Sequence, residues 1–116
     1  MAPLYGCLAR CGKLDGIRLV SEVTLDRGRT CLTSRREPLA NELNTFGFGF
    51  SLQTDHLPMG PPLDAVGHGG AGGSEHGAWP HERVGFSYCL NYMRDDAVVD
   101  PRPRALLAAL PEALHR

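Results

Sequence analysis

The stretch GHGGAGGS, residues 67–74, places five glycines and one histidine within eight positions. Glycine accepts positive φ and lets another main chain or a ligand approach closely, yet it loses the most conformational freedom on folding. Three uses account for such a run: a flexible linker, a phosphate cradle, or a strand passing tightly along a substrate. A phosphate cradle needs GxxxxGK[ST] or GxGxxG between a strand and a helix. Here no lysine follows within reach, and the next residues read as strand. A linker joins blocks of different composition, whereas these flanks pair naturally as a hairpin. The third use is left, with His68 as the ionisable group on a strand whose bare face lines a site.

The remaining reactive side chains are scattered. Cys7 and Cys11 are spaced i, i+4, which predicts one shared helical face and not a CxxC pair. Cys31 and Cys89 stand alone, and all four thiols read as small buried hydrophobes. The histidines show no HxxxH or HExxH spacing. No structural metal and no cofactor are expected.

At 116 residues the chain is one domain at most, burying about two-thirds of its unfolded surface. A net charge of −1, with both signs mixed along the chain, gives no nucleic-acid or membrane footprint. Apolar runs fall short of the roughly 20 residues of a membrane helix. MAPLYGCLARCGK has no charged segment ahead of an apolar one, so it is no secretory signal. A cytoplasmic protein is the expectation.

Several elements must position the glycine stretch. Leu4, Tyr5, Leu8 and Ala9 give a helical stripe ended by Gly12. Leu14-Asp15-Gly16 reads as a turn, Ile17 to Val20 as extended, and SEVTL as a short helix capped by Ser21. Residues 26–44 are polar and aperiodic, which predicts a long loop. Phe46, Phe48 and Phe50 alternate with Gly47, Gly49 and Ser51, the pattern of a strand with an aromatic core face and a bare opposite face. DHLPMGPP, with three prolines in five residues, is an irregular turn. Glu82 to Tyr92 reads as a strand, with Val84, Phe86, Tyr88 and Leu90 alternating. Asp100 and Pro101 open a helix that buries Leu106, Leu107, Leu110 and Leu114 and kinks or ends near Leu110, ahead of Pro111. The order predicts an α+β fold: a partial antiparallel sheet of about three strands, flanked by N- and C-terminal helices.

These residues carry a resemblance. His68-Gly69-Gly70-Ala71-Gly72-Gly73-Ser74 resembles the third motif, [K/H]-x-G, of the serine β-lactamase, penicillin-binding-protein and β-lactamase-like carboxylesterase superfamily. The carboxylesterase branch is the nearest, with histidine in the lysine position. GFGFSL before the motif, PMGPP, the GFSYCLN run after it and DPRPRAL at the end follow that branch in order. CLARCGKLDGIRLVSEVTL resembles its segment L...G.LDG.RLLS.ET.

The resemblance implies acyl-enzyme hydrolysis of an ester, lactam or peptide. It implies that Ala71 supplies one backbone N–H of the oxyanion hole, that Gly70 admits the substrate, and that His68 contacts the proton network or the substrate. It also implies a serine in SxxK and a tyrosine in YxN or YxS. Ser34-Arg35-Arg36-Glu37 has glutamate in the lysine position, no other serine is followed by lysine at that spacing, and Tyr88-Cys89-Leu90-Asn91 has the wrong spacing. Residues 1–116 therefore read as a single incomplete domain, the C-terminal part of the fold. A small-molecule acyl substrate is expected only if the missing part completes it.

Three alternatives stay open: an inactive fragment, one half of a split hydrolase, and a non-catalytic binding module. Residues 66–71 are expected to be extended and paired antiparallel with 83–91, joined through 75–82 by a turn near Pro80. His76 and His81 are expected at the surface, Arg83 at a solvated strand end and Trp79 packed at the turn. Unpaired sheet edges predict self-association.

Overall fold

Local signals set the helices of the computed structural model, which describes residues 1–39, 41–94 and 100–115. Helix α1 (Ala2–Ala9) carries Pro3 in its first turn, where a missing N–H costs no helical bond. It stops short of the predicted Gly12 boundary. Cys11 (φ 55°) and Gly12 (φ 78°) are both left-handed, and Gly12 N–H donates to the Cys7 carbonyl at 2.9 Å. Cys11 is thereby carried off the helix and exposed while Cys7 is buried, so the shared thiol face does not form. Cys31 and Cys89 are exposed too, leaving Cys7 as the one buried thiol.

Asp15 (φ 49°) and Gly16 (φ 81°) turn the hairpin of β1 (Lys13–Leu14) and β2 (Ile17–Arg18). Helix α2 (Glu22–Gly28) begins at its predicted cap, where Ser21 Oγ accepts the Thr24 N–H at 3.1 Å. Helix α3 (Pro101–Leu114) begins at Asp100, whose carboxylate accepts the Arg102 N–H at 2.9 Å. It runs through Pro111 instead of ending near Leu110. Proline there removes a bond only close to the C-terminus, where few are left to lose. Its buried stripe is Pro103 and Leu107 with Leu110 half-buried, while Leu106 and Leu114 are exposed.

The fold is α+β with an antiparallel sheet, as the sequence implies, but that sheet has six strands and not about three. Their order is β3 (Thr33–Arg36), β4 (Leu43–Phe46), β5 (Ser51–Leu52), β6 (Val66–Gly69), β7 (Glu75–Trp79) and β8 (Val84–Tyr88). The predicted loop 26–44 contains the end of α2, β3 and part of β4. Strand β3 is exposed at every residue, so no apolar alternation marks it, and backbone pairing with β4 defines it. The phenylalanine stripe is not one strand. Gly47 lies against the Gly28 and Thr30 carbonyls, its N–H donates to Phe50 at 2.9 Å, and Gly49 has φ 81°. Those bonds fold 47–50 into a turn and leave Phe48 exposed.

Two cores lie on opposite faces of the sheet. Tyr5 and Ala9 of α1 pack on Val66 and Ala78, with Phe50 and Leu52 at the edge. On the other face Met59, Ala65, Trp79 and Leu107 are buried together. Trp79 is fully buried inside β7, and its indole N–H donates to the Met59 carbonyl at 2.7 Å. Gln53 Nε2 holds the Gly60 and Pro62 carbonyls at 2.6 Å each, which pins the proline-rich turn against the sheet. Among the described residues no helix is long and apolar enough to cross a membrane.

Gly67 sets the spacing between these layers. A Cβ there collides with the His76 carbonyl and sits 2.5 Å from Met59 Sδ and 2.8 Å from Gly77 Cα. At Gly69 the nearest atom is 3.8 Å away. Gly67→Ala is expected to destabilise the fold by about 1–3 kcal/mol through overpacking, whereas Gly69→Ala changes stability by less than about 1 kcal/mol. Thermal melts of the two variants check this; equal melting temperatures contradict the close-approach reading.

Candidate functional site

The glycine stretch is a strand end followed by a tight turn. Strand β6 pairs with β5 on one side and β7 on the other: Val66 faces Ala78, His68 faces His76 and Gly69 faces Glu75. It does not pair with 83–91, because residues 75–79 of the expected connection form a strand of their own between the two. The turn near Pro80 is present and joins β7 to β8, with Arg83 N–H donating to the Pro80 carbonyl at 3.1 Å. Arg83 is exposed with φ 57°. Extension stops at Gly69, short of the expected Ala71. Gly70 N–H donates to the Ser74 carbonyl at 2.7 Å, Gly73 N–H donates to the Gly70 carbonyl at 2.9 Å, and Gly73 takes φ 101°. Only glycine adopts that conformation without strain.

His68, Gly69, Gly70 and Ala71 are therefore contiguous and exposed at one end of the sheet. Ala71 N–H has no acceptor among the described residues. His68 lies on the α1 side of the sheet, since it shares its face with Val66. Its Nδ1 is 2.7 Å from the Gly69 carbonyl. A carbonyl only accepts, so Nδ1 carries a proton, and the tautomer with this bond leaves Nε2 as the acceptor. The Phe46 ring centroid is 6.1 Å from that of His68.

Residues that the sequence passed over support this end. His76 is half-buried and not a surface group: its Nδ1 is 2.8 Å from Ser87 Oγ, and its ring stacks on Tyr5 at 6.4 Å. Strand alternation from His68 and its partner on β7 was the available signal. His81 is exposed as expected. The Asp100 carboxylate, bound by Arg102, lies directly against Gly73, and Arg102 also holds the Tyr92 carbonyl at 3.0 Å. The side-chain hydrogen bond from Arg102 to the Asp100 carboxylate holds its pKa down to about 2.

On the α3 face, Glu75 begins the strand that returns from the turn. Its Oε2 and Arg104 Nε are buried without hydrogen-bond partners among the described residues. Burial pushes the Glu75 carboxyl upward, Arg104 opposes that shift and Asp100 adds to it. A carboxyl whose folded pKa is raised favours folding while protonated and loses that contribution as pH rises through the folded pKa. Asp100 has the opposite sign, its contribution being lost as pH falls toward 2. Glu75→Gln is accordingly expected to raise the melting temperature at pH 7.5, with the gain vanishing near pH 4. Paired melts at the two pH values check it; a gain independent of pH contradicts it.

Comparisons with known proteins agree with one another. No protein-family model matches the sequence. Over 95 residues, 81% of this chain and 21% of the relative, it is 32% identical to the esterase/beta-lactamase LipL of Mycobacterium tuberculosis. The crystal structure of a novel penicillin-binding protein homologue from Caulobacter crescentus superposes with a TM-score of 0.88 at 30% identity. That of a family VIII carboxylesterase superposes with a TM-score of 0.84, also at 30% identity. Each superposition covers 97% of this chain and 30% of the solved one. The chain thus spans less than a third of the length of these relatives.

Proposed function

We propose, from the premise that this chain belongs to the β-lactamase-like serine hydrolase superfamily and matches the C-terminal part of its fold, that it supplies the oxyanion-side strand of an acyl-transfer site. The observation that carries this reading is Ala71: an exposed residue whose backbone N–H has no acceptor among the described residues, in a braced glycine turn. Acyl transfer develops negative charge on the former carbonyl oxygen, and a fixed donor stabilises it without reorganisation. Gly69 and Gly70, exposed and without side chains, admit an acyl group alongside the strand. His68 Nε2 accepts a hydrogen bond from a hydroxyl on the same face.

The nucleophile and its base are not among these residues. No serine here stands in SxxK and no tyrosine in YxN. The substrate is an ester, lactam or peptide acyl group, and its turnover requires a serine from outside the 116 residues. The half-of-a-split-hydrolase reading is favoured over the binding module because the turn that presents Ala71 is braced by Asp100, Arg102 and the Ser74 carbonyl.

The purified chain is expected to hydrolyse neither nitrocefin nor short p-nitrophenyl esters above background. A chimera in which it replaces the aligned 30% of the family VIII carboxylesterase is expected to hydrolyse the esters. In that chimera Ala71→Pro, which removes the N–H, lowers kcat by about 10²–10³-fold. Turnover by the chain alone, or an Ala71→Pro chimera as fast as its parent, overturns the assignment.

A further inference from the structure

We infer that the open edge of β3 is a docking edge for an extended acidic peptide segment, which adds to the sheet as one more strand. Strand β3 is outermost in the six-stranded sheet and pairs with β4 alone. All four of its residues, Thr33, Ser34, Arg35 and Arg36, are exposed. Just beyond it the Glu37 N–H donates to the Glu42 carbonyl at 2.8 Å, so Glu37 turns its backbone toward the β4 side. Bonding direction alternates along a strand, which aims the backbone N–H and C=O of Ser34 and Arg36 away from β4. An unpaired row of this kind is a template for another chain. The Ser34 and Thr45 hydroxyls lie 3.0 Å apart across the pair, and the Arg36 guanidinium donates to the Asn41 carbonyl at 2.8 Å. Both contacts hold the hairpin that presents the edge.

Charge and register select the occupant. A second copy of β3 is disfavoured: antiparallel overlap of all four residues sets Arg36 of one copy opposite Thr33 of the other and diagonal to its Arg35. Like charges at that spacing repel, whereas opposite charges attract within the reach of long side chains. Arg35 makes no side-chain hydrogen bond or ion pair among the described residues, so its guanidinium is available to an incoming carboxylate. From Leu32 to Arg36 the exposed side chains run apolar, hydroxyl, hydroxyl, basic, basic. An antiparallel strand of two acidic residues, two threonines and a valine places an acid against each arginine and a hydroxyl against each hydroxyl. Its valine then covers Leu32, which is 55% exposed. In strand addition the main-chain bonds supply affinity, and pairs like these supply the selection of sequence.

The test titrates this chain into a capped, fluorescein-labelled Glu-Glu-Thr-Thr-Val peptide and follows anisotropy. Two control peptides accompany it: Lys-Lys-Thr-Thr-Val, and the acidic peptide methylated on the backbone nitrogens of its first glutamate and first threonine. The acidic peptide is expected to bind with a Kd below about 1 mM, and the controls about tenfold more weakly. Methylation removes the N–H groups that would meet Ser34 and Arg36 but leaves both carboxylates, so it separates strand addition from charge attraction alone. Arg35→Glu alters an exposed side chain; it is expected to keep the parent melting curve and to shift the preference toward the lysine peptide. No binding of the acidic peptide, equal binding of its methylated form, or an unchanged preference in folded Arg35→Glu overturns the docking edge. Dimerisation of the chain that excludes the peptide, read by sedimentation velocity, overturns it as well.

Discussion

The approach of β6 to β7 at Gly67 is the constraint on which the other contacts depend. With no side chain at that position, the His76 carbonyl and Met59 Sδ both reach the strand. Met59 in turn offers its carbonyl to the Trp79 indole, and Trp79 stands beside Gly60, Phe86 and the Leu107 side of α3. Loss of that spacing opens the core on the α3 face and loosens the turn that Gln53 holds. The same strand pair presents Val66 and Ala78 to Tyr5 and Ala9 on the other face. One backbone contact thus fixes both layers.

That contact also explains why the glycine run is worth its entropic cost. Its glycines do different jobs, which a single label for the stretch conceals. Gly67 is structural, because any Cβ collides. Gly73 takes the left-handed φ that lets the chain reverse, with Asp100 packed against it. Gly69 and Gly70 meet nothing closer than 3.7 Å, an ordinary contact distance, so no close fold contact requires glycine at either. Rigid glycines at both ends hold open ones in between, which is how a flexible residue type makes a defined surface.

What the sequence revealed follows the range of the physics. Caps and tight turns are decided within four residues, so Ser21, Asp15-Gly16 and Asp100 were legible and the structure has them. The motif strand was legible because its composition is extreme. Strand β3 was not, because TSRR owes its conformation to backbone pairing with β4 and buries nothing. The phenylalanine alternation was misread because glycines that bare a strand face also permit the Gly47–Phe50 turn; the Gly28 and Thr30 carbonyls decide between them. Strand β7 was hidden among residues such as Gly77 and Trp79, whose extended state depends on neighbours on both sides. At the site the order of His68, Gly69, Gly70 and Ala71 was readable, while the His76–Ser87 bond and the Asp100 brace needed the register.

Histidine at position 68 changes what this end of the sheet offers. A lysine ammonium has three donors and no acceptor, and it draws anions as a point charge. His68 donates its Nδ1 proton to the Gly69 carbonyl one residue on, which in the neutral tautomer leaves Nε2 as the acceptor. The bond also ties the imidazole to the strand that ends at the turn. The Ala71 N–H, which meets no acceptor among the described residues, and the His68 ring then sit on one short segment, held by the pairing at Gly67 and the brace at Gly73. On the proposed reading, acyl transfer uses the first as donor to the developing oxyanion and the second as proton acceptor, and both act only with a nucleophile.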